Sequence, residues 1–352
     1  MARQYRFGII GVGMIGEYHA QAIEGVEGAK LVAACARTED TVRPFAKKHN
    51  CRAHTDFNEL LKRDDIDVVT ICTPSGSHME PAVAAAQAGK HAVIEKPIEI
   101  TLDRIDRILE AHDKAGTKIC GIFNGRFTET ARLLRQAVEQ GRFGRMTFGM
   151  AFGPWWRDQA YYDEGGWKGT QQYDGGGALM NQGIHSIDLL QWMMGPVASV
   201  QAFTDVLAHT QIEVEDTGAA SLRFANGALG TIGCTTSMWP GHFRIIEVAG
   251  DSGTVALSDS KFLFWQFADE TDEDQRIREQ FLEFPAVSVG ASSPSAGLTA
   301  AGHQANIEEF LDAVEAGREP LISGTEARKS VEIILAVYRS AKQGKPVELP
   351  LR

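Results

Sequence analysis

Short apolar runs alternate with helical stretches along the first third of the chain. Five of these runs are predicted strands, at residues 6–10, 29–36, 67–73, 91–95 and 118–123. Helices are predicted between them, up to about residue 25 and at 42–50, 79–89 and 102–115. Because strands that alternate with helices form parallel sheets through right-handed crossovers, this part is predicted to be a doubly wound parallel sheet.

The pattern changes after residue 124. A helix at 129–140 and a strand at 147–153 lead to a long predicted helix at 177–194. Six β-rich segments with turn signals between several of them come next, at 198–205, 216–225, 228–238, 243–250, 253–258 and 261–267. Consecutive strands joined by turns predict a mainly antiparallel sheet. Two helices, at 303–317 and 324–343, close the chain.

The predicted fold class is therefore α/β, with a doubly wound parallel sheet first and an α+β domain with a large, mainly antiparallel sheet second. At 352 residues the chain exceeds the size at which a single core stops growing. The predicted domains are residues 1–124 and 125–352, and the closing helices can pack back on the first domain. Gly, Ser and Ala make 165–177 and 290–302 the most irregular stretches.

Composition and charge exclude several kinds of partner and location for this protein. The chain is 43% hydrophobic and 23% charged, and its formal net charge of -11 disfavours nucleic acid or an anionic membrane surface as a partner. No apolar run approaches the ~20 residues of a membrane-spanning helix, and the start lacks the pattern of a signal peptide. The five cysteines are scattered without a CxxC pair, so they are predicted to be reduced thiols in a cytoplasmic protein without a metal site.

A glycine-rich turn follows the first predicted strand. Gly11, Gly13 and Gly16, with Met14 and Ile15 between them, open the first helix. Glycines permit a tight turn and close approach of the backbone to a pyrophosphate, which the positive helix end attracts. The context predicts a dinucleotide-binding site, and a glycine turn without a ligand is the alternative.

A later strand end is also predicted to contact the dinucleotide. Thr73, Pro74 and Ser75 end a parallel strand, and ligands lie beyond the carboxyl ends of strands in such sheets. His78 follows them and is predicted to be a loop or cap residue beside the cofactor, not a catalyst.

The residue about 20 positions after the third glycine distinguishes NAD from NADP. That position holds Ala36, followed by Arg37. Because no acid repels a 2′-phosphate and a guanidinium can pair with one, the site is predicted to favour NADP mildly over NAD. Use of NAD, or of both, stays open because Glu39 and Asp40 lie close by.

Lys96 comes directly after the predicted strand at 91–95, with Pro97 behind it. A lysine at the carboxyl end of a buried strand points to where nicotinamide is expected, and its charge can stabilise an alkoxide or polarise a carbonyl. Lys96 is therefore predicted to take part in the chemistry. Glu95 either binds near the nicotinamide or pairs with a neighbour.

The stretch GGGALMNQGIHSIDLL, residues 175–190, carries Asn181, His185 and Asp188. On an α-helix, spacings of i,i+4 and i,i+3 place the three side chains on one face. This face is predicted to meet the substrate, and an ordinary solvated helix face is the alternative.

Aromatic and basic residues precede this helix. Aromatic rings suit the apolar face of a pyranose, and a guanidinium can clamp a carboxylate or phosphate. The candidate substrate residues are Arg157, Tyr161, Tyr162 and Trp167. The aromatic loop, residues 154–168, can equally be a lid or a subunit contact. Arg126 follows the last strand of the first domain and either reaches the site or braces the junction.

The ordered motifs resemble the Gfo/Idh/MocA oxidoreductases. GVGMIGEYHAQA, TPSGSH, AGKHAVIEKP and GGGALMNQGIHSIDLL follow one another, and the segment from NIEEFLDAVEAG to PVELP is typical of the family's C-terminal part. The resemblance covers essentially the full length. It implies an N-terminal Rossmann domain, a C-terminal domain with a large open sheet, and homodimers or homotetramers assembled through that sheet.

The resemblance also implies a reaction. It implies NAD(P)-dependent oxidation or reduction of a sugar, a polyol or a sugar derivative, with the motif lysine at Lys96 and the catalytic histidine at His185. In this interpretation His185 accepts the hydroxyl proton, Lys96 stabilises the alkoxide and Asn181 positions a neighbouring hydroxyl. Asp188 either orients His185 or bonds the backbone.

One position departs from the family pattern. Many members carry Asp where this chain has Asn181, and an amide cannot accept a proton. Some sugar-nucleotide dehydrogenases of the family look similar here, so nucleotide sugars stay open as substrates. Two other functions are weighed: an NAD-dependent, redox-assisted glycosidase of the same fold, and a catalytically idle cofactor sensor, against which the retention of Lys96 and His185 argues.

Overall fold

The structure is a computed structural model that describes residues 4–283 and 300–352. The chain divides into two compact units. The first unit holds described residues 4–124 and 300–328, and the second holds 125–283 and 329–352. Each unit is thus assembled from two separate parts of the sequence.

Strands and helices alternate through the described residues. The strands are β1 (Tyr5–Ile10), β2 (Ala29–Cys35), β3 (Arg52–His54), β4 (Val68–Ile71), β5 (His91–Ile94), β6 (Ile119–Gly121), β7 (Met146–Pro154), β8 (Val197–Asp205), β9 (Thr217–Phe224), β10 (Leu229–Thr235), β11 (Ile245–Gly250), β12 (Gly253–Ser258), β13 (Lys261–Phe267) and β14 (Val347–Glu348). The helices are α1 (Met14–Gly25), α2 (Glu39–Lys48), α3 (Phe57–Leu61), α4 (Met79–Gln87), α5 (Leu102–Ala115), α6 (Glu129–Glu139), α7 (Ala160–Asp163), α8 (Ile184–Met194), α9 (Asp272–Phe281), α10 (Ala301–Ala316) and α11 (Gly324–Gln343).

Six parallel strands form the sheet of the first unit, in the order β3-β2-β1-β4-β5-β6. The strand order reverses between β1 and β4, which is the switch point where open α/β sheets bind ligands. The predicted doubly wound parallel sheet is confirmed. Strand β3 was not predicted, because its three residues, Arg-Ala-His, carry no apolar run.

Helix α10 returns to the first unit and packs against α1. Ile307, Phe310 and Leu311 of α10 share one buried cluster with Phe7 and Ile9 of β1. Burying a large apolar side chain stabilises a fold by about 1.5–3 kcal/mol. The core of the first unit therefore depends on residues that follow strands β7 to β13 of the second unit in the sequence.

Eight strands form the sheet of the second unit, in the order β13-β12-β11-β7-β10-β9-β8-β14. Strands β7 and β10 pair in parallel, and the other neighbouring strands pair antiparallel. The predicted mainly antiparallel sheet is confirmed. The parallel pair was not predicted, because the hydrophobic pattern of a strand does not specify its neighbour.

Helix α8 covers one face of this second sheet. A Cβ added to Gly149 of β7 would lie 2.7 Å from Met194 of α8, so the two backbones approach closely. Four large apolar side chains share the opposite face by the strand register, namely Phe148, Phe203, Leu229 and Phe264. They are 40 to 77% exposed, and we call this surface the open sheet face.

The single α-helix predicted at 177–194 is two elements. Residues Ala178–Gly183 form a π-helix, and α8 begins at Ile184. Hydrogen bonds in a π-helix run from i to i+5, so the i,i+4 rule for one α-helical face does not apply between Asn181 and His185. The predicted helix type is therefore wrong over 178–183, at a kind of irregularity that is frequent in functional sites.

The stretch 165–177 consists of bends and turns, as predicted. Of the irregular stretch predicted at 290–302, residues 290–299 lie outside the described residues. In the described part of the chain, no helix is both long and apolar enough to cross a membrane. The cytoplasmic location stays a prediction.

Candidate functional site

The glycine turn after β1 is crowded at two positions and open at a third. Gly11 has a φ of +97°, and a Cβ there would lie 2.6 Å from the carbonyl oxygen of Cys72. A Cβ at Gly16 would lie 2.3 Å from the carbonyl oxygen of Gly11. At Gly13 a Cβ would meet no described atom within 4 Å, and no side chain caps the N-terminus of α1. This open helix end fits the pyrophosphate of a dinucleotide.

The residues predicted to recognise the adenosine ribose follow β2. The amide of Ala36 donates to the carbonyl oxygen of His54 at 3.2 Å, and Arg37 is exposed. Glu39 pairs with Arg43 one turn along α2. The position that recognises the adenosine ribose thus holds the methyl group of Ala36, followed by the guanidinium of Arg37. The nearby carboxylate of Glu39 is paired with Arg43.

His78 connects the turns that follow β4 and β5. It is 1% exposed, with Nδ1 3.0 Å from the carbonyl oxygen of Pro97 and Nε2 2.9 Å from that of Thr73. The Thr73 hydroxyl also donates to the carbonyl oxygen of Ser77 at 3.0 Å. These contacts support the predicted loop role of His78. Cofactor contact by residues 73–75 and by His78 stays a prediction.

Glu95 is the centre of a buried network. Its Oε1 lies 2.9 Å from Nε2 of His19 and 3.0 Å from Nε2 of His303, and its Oε2 accepts from the Lys96 amide at 3.0 Å. His19 also contacts the hydroxyl of Thr70 at 2.6 Å. Burial by itself would raise the pKa of Glu95, but the hydrogen bonds from the two histidines hold it well below its usual value. Hydrogen bonds with His19, His303 and the Lys96 amide therefore hold the carboxylate of Glu95 in place.

Sequence reasoning missed the two histidines of this network. They stand 76 and 208 residues from Glu95, and the one available signal was a histidine inside the helix that follows the glycine turn. The ligand atoms of His19, Glu95 and His303 lie within 4.8 Å of one another, a spacing that also suits a metal ion. The absence of a metal stays a prediction.

Lys96 stands at the carboxyl end of β5 and is partly exposed. Its peptide bond to Pro97 is cis. Strand β5 neighbours β4, which flanks the switch point of the sheet. Lys96 thus lies at the strand edge where open α/β sheets bind their ligands.

In the second unit, Glu215 holds the start of the π-helix. Its carboxylate accepts from the amides of Gly177 at 2.9 Å and Leu179 at 2.8 Å, and from the hydroxyl of Tyr338 at 3.0 Å. Burial raises the pKa of Glu215 to about 7, against the opposing effect of these hydrogen bonds. A Cβ at Gly177 would lie 1.8 Å from the carbonyl oxygen of Glu215, so close packing explains the last glycine of the GGG run.

Four side chains around the π-helix form a continuous series of hydrogen bonds. Asn181 Nδ2 donates to Asp174 Oδ1 at 2.7 Å, and Gln182 Nε2 donates to Asn181 Oδ1 at 2.9 Å. Arg157 Nη2 donates to Gln182 Oε1 at 3.4 Å. We call Asp174–Asn181–Gln182–Arg157 the polar chain. It connects two predicted substrate residues, Asn181 and Arg157, through Gln182, and it ends at Asp174. Neither Gln182 nor Asp174 was predicted to be a site residue.

His185 is the second residue of α8 and is partly exposed, with a buried Nδ1. The helix that carries it is mostly buried. Its imidazole is therefore presented from a packed element, which suits a group that must hold its orientation during proton transfer.

Arg157 lies close to two aromatic rings. Its guanidinium carbon is 5.4 Å from the ring centre of Trp155 and 4.8 Å from that of Tyr161. The ammonium of Lys168 lies 4.0 Å from the ring centre of Tyr161. Arg157 is 6% exposed, and burial lowers its pKa. Two cations near flat rings suit an anionic sugar derivative.

Tyr162, within the aromatic loop, contacts two residues from other segments of the second unit. Its hydroxyl lies 3.0 Å from that of Thr236, its ring centre lies 4.8 Å from that of His209, and burial raises its pKa to about 12. His209 in turn contacts the carbonyl oxygen of Arg157 at 2.9 Å. Trp167 is partly exposed. Substrate contact by Tyr161, Tyr162 and Trp167 stays a prediction.

Arg126 and Asp188 form a bidentate pair, with Nε to Oδ2 at 2.8 Å and Nη2 to Oδ1 at 2.7 Å. Both side chains are 1% exposed, and the guanidinium carbon lies 5.0 Å from the ring centre of Trp192. Since both residues belong to the second unit, this geometry tests neither predicted role of Arg126, reaching the site or bracing the junction, and both stay predictions. For Asp188 it adds a partner that neither predicted alternative included.

Comparisons with known proteins agree with this geometry. Residues 5–122 match an oxidoreductase family with an NAD-binding Rossmann fold, and residues 131–256 match the GFO/IDH/MocA C-terminal domain. The myo-inositol 2-dehydrogenase of Thermotoga maritima is 28% identical over 98% of both chains.

Two solved structures resemble the chain over nearly its whole length. The WlbA dehydrogenase of Bordetella pertussis, in complex with NADH and UDP-GlcNAcA, is 33% identical with a TM-score of 0.88, covering 99% of this chain and 100% of that one. The WlbA dehydrogenase of Chromobacterium violaceum, with the same ligands, is 32% identical with a TM-score of 0.89, covering 100% and 98%. The chain therefore belongs to the Gfo/Idh/MocA family of NAD-binding oxidoreductases.

Proposed function

We propose that the chain is an NAD(P)-dependent dehydrogenase that oxidises a secondary alcohol of an anionic, nucleotide-linked sugar. The observation that carries this substrate class is the buried guanidinium of Arg157 near the rings of Trp155 and Tyr161. A guanidinium binds carboxylate or phosphate with two parallel hydrogen bonds, and aromatic faces support sugar rings. The two WlbA structures that hold UDP-GlcNAcA support the same class.

The proposal gives each residue one role. A nicotinamide cofactor held by the first unit would supply the hydride-transfer chemistry. His185 takes the hydroxyl proton as general base, because an imidazole exchanges protons near neutral pH. Lys96 stabilises the alkoxide with its positive charge. Asn181 positions a neighbouring hydroxyl through hydrogen bonds.

The cofactor assignment rests on the first unit. The open position at Gly13 and the crowded turn at Gly11 and Gly16 would hold the pyrophosphate. The exposed Arg37 after Ala36 supports the predicted mild preference for NADP. The relatives whose structures contain NADH support NAD, so both cofactors enter the test.

A neutral polyol is the second candidate substrate. The identity of 28% with a myo-inositol 2-dehydrogenase favours it. A cyclic polyol presents the same secondary alcohol to His185 but gives Arg157 no anion to bind. The two candidates therefore differ in what they require of Arg157.

Reduced-nicotinamide absorbance tests the proposal. Purified protein is supplied with NAD+ or NADP+ and, in parallel wells, UDP-GlcNAcA, UDP-GlcNAc, myo-inositol or levoglucosan. We expect the strongest signal with UDP-GlcNAcA. We expect Arg157→Met to raise KM for it by about 30-fold or more, since removing one partner of a buried charge pair costs about 2–5 kcal/mol.

Arg132→Met is the matched control, because Arg132 is an exposed arginine that also lies over an aromatic ring in the same unit. Equal turnover of myo-inositol by wild type and Arg157→Met would favour the neutral polyol. No change in nicotinamide absorbance with any of the sugars, together with intact NADH binding, would favour the redox-neutral glycosidase or the cofactor sensor.

We also propose that the chain forms homodimers or homotetramers through the open sheet face. Large exposed apolar patches mark interaction sites on soluble proteins, and Phe203 is 77% exposed. Phe203→Glu should shift the mass measured by light scattering to a smaller species. Gln275→Glu on α9 is the control for added charge. A monomeric wild type at micromolar concentration would contradict this proposal.

A further inference from the structure

The polar chain has two ends that cannot exchange roles. A carboxylate such as that of Asp174 accepts hydrogen bonds, whereas the guanidinium of Arg157 can only donate them. Between them stand Asn181 and Gln182, whose amides carry a donor at one end and an acceptor at the other. The fixed ends therefore decide which way each amide faces.

The distances satisfy one orientation of both amides. The Asn181 amide nitrogen faces Asp174 at 2.7 Å, and the Asn181 amide oxygen faces the Gln182 nitrogen at 2.9 Å. The Gln182 oxygen then faces Arg157 at 3.4 Å. Reversing one amide would bring two donors or two acceptors together, and losing the hydrogen bond to a buried charged group such as Asp174 is the costly case.

Asp174 is itself held in place. It is 2% exposed, and its second oxygen accepts from the amide of Gly169 at 2.9 Å. Gly169 has a φ of +72°, and a Cβ there would lie 3.1 Å from both Tyr162 and Ile212. The carboxylate is thus anchored to a turn directly after the aromatic loop, at a backbone conformation that few residues other than glycine adopt.

We propose that Asp174 is a positioning residue that sets the direction of the Asn181 amide and, through Gln182, supports the guanidinium of Arg157. Asn181 then presents its carbonyl oxygen on the side away from Asp174, where the oxygen accepts from Gln182 and keeps a second lone pair for a substrate hydroxyl. The catalytic part of this inference rests on the proposed function. The direction of the amides does not, because it follows from the hydrogen bonds alone.

Two isosteric substitutions, made together, reverse the direction of the hydrogen bonds from residue 174 to 181 and from 181 to 182. Asp174→Asn keeps an oxygen for Gly169 but turns a donor toward Asn181. Gln182→Glu places acceptors toward both Asn181 and Arg157. Either change alone leaves one mismatched pair, whichever way the amides turn. Together they restore a donor and an acceptor at every link, with the Asn181 amide reversed.

The test is a double-mutant cycle with two readouts. Each single variant should lower the denaturation midpoint, and the double variant should recover most of that loss. The kcat on the sugar substrate should stay about tenfold below wild type in the double variant, the rate equivalent of one misdirected hydrogen bond. A merely structural role would restore kcat together with the midpoint.

Controls separate the failure of this inference from other failures. Asp163→Asn, at an exposed carboxylate of the aromatic loop that accepts from Gln159, should change neither readout. NADH binding should be unchanged in all variants. Recovery of wild-type kcat in the double variant, or no recovery of its midpoint, overturns the inference. If the wild-type protein turns over no sugar, the proposed function fails. The double-mutant cycle measured by the denaturation midpoint still decides the direction of the amides.

Discussion

Replacing His185 with Ala should lower kcat by about 10²–10⁴-fold, the usual contribution of a positioned general base. The loss should appear at saturating cofactor and sugar, because the proton that leaves the hydroxyl then has no acceptor of suitable basicity. The fold should survive, since the side chain is partly exposed on α8. Steady-state nicotinamide absorbance measures kcat, and NADH fluorescence measures cofactor binding separately.

Two further measurements test whether the loss of kcat comes from the missing imidazole. Added imidazole should restore part of the lost rate, because it can occupy the space of the removed ring and accept the proton. His242→Gln should leave kcat unchanged, since the Nδ1 of that ring contacts the carbonyl oxygen of Phe243 in a loop with no proposed role. A His185→Ala variant with kcat close to wild type would remove His185 from the mechanism.

Replacing Lys96 with Met should lower kcat by about 10²–10³-fold, the effect of deleting one group that stabilises a developing oxyanion. Met keeps most of the length of the side chain and removes its charge, so packing changes little. The Glu95 network reaches the backbone amide of Lys96 and should be unaffected. Measurement of kcat and of KM for sugar and cofactor separates the outcomes.

Lys90→Met is the matched control, because Lys90 lies just before the amino end of the same strand and donates to the carbonyl oxygen of Arg63 at 2.9 Å. It should keep wild-type kcat. A Lys96→Met variant that changes only KM for the cofactor would make Lys96 a binding residue without a part in the chemistry.

The sequence predicted those features that local patterns determine. The strands and helices of the first unit are marked by apolar runs and a glycine turn, and most predicted boundaries fall within a few residues of the observed ones. Gly11, Gly13 and Gly16 needed no distant partner to be recognised. The position of Lys96 at the carboxyl end of a buried strand was also predictable, and its part in the chemistry stays a prediction.

Features that depend on distant partners were not predictable. His303 meets Glu95 across 208 residues, and Arg126 meets Asp188 across 62. The π-helix at Ala178–Gly183 depends on Glu215, whose carboxylate accepts two amides at its start. No periodicity in one segment records such contacts. The sequence therefore singled out Asn181 as a candidate but not Asp174, whose carboxylate accepts from the Asn181 amide nitrogen.

The discontinuous first unit has a consequence for protein synthesis. Domains generally fold as units while the ribosome makes the chain from its N-terminus. When β6 has been made, all six strands of the first sheet exist, but Ile307, Phe310 and Leu311 of its core do not. The apolar side chains of Phe7 and Ile9 cannot contact these partners until strands β7 to β13 of the second sheet have also been made. The unit whose sheet is translated before the second sheet thus completes its core only after most of that second sheet has been made.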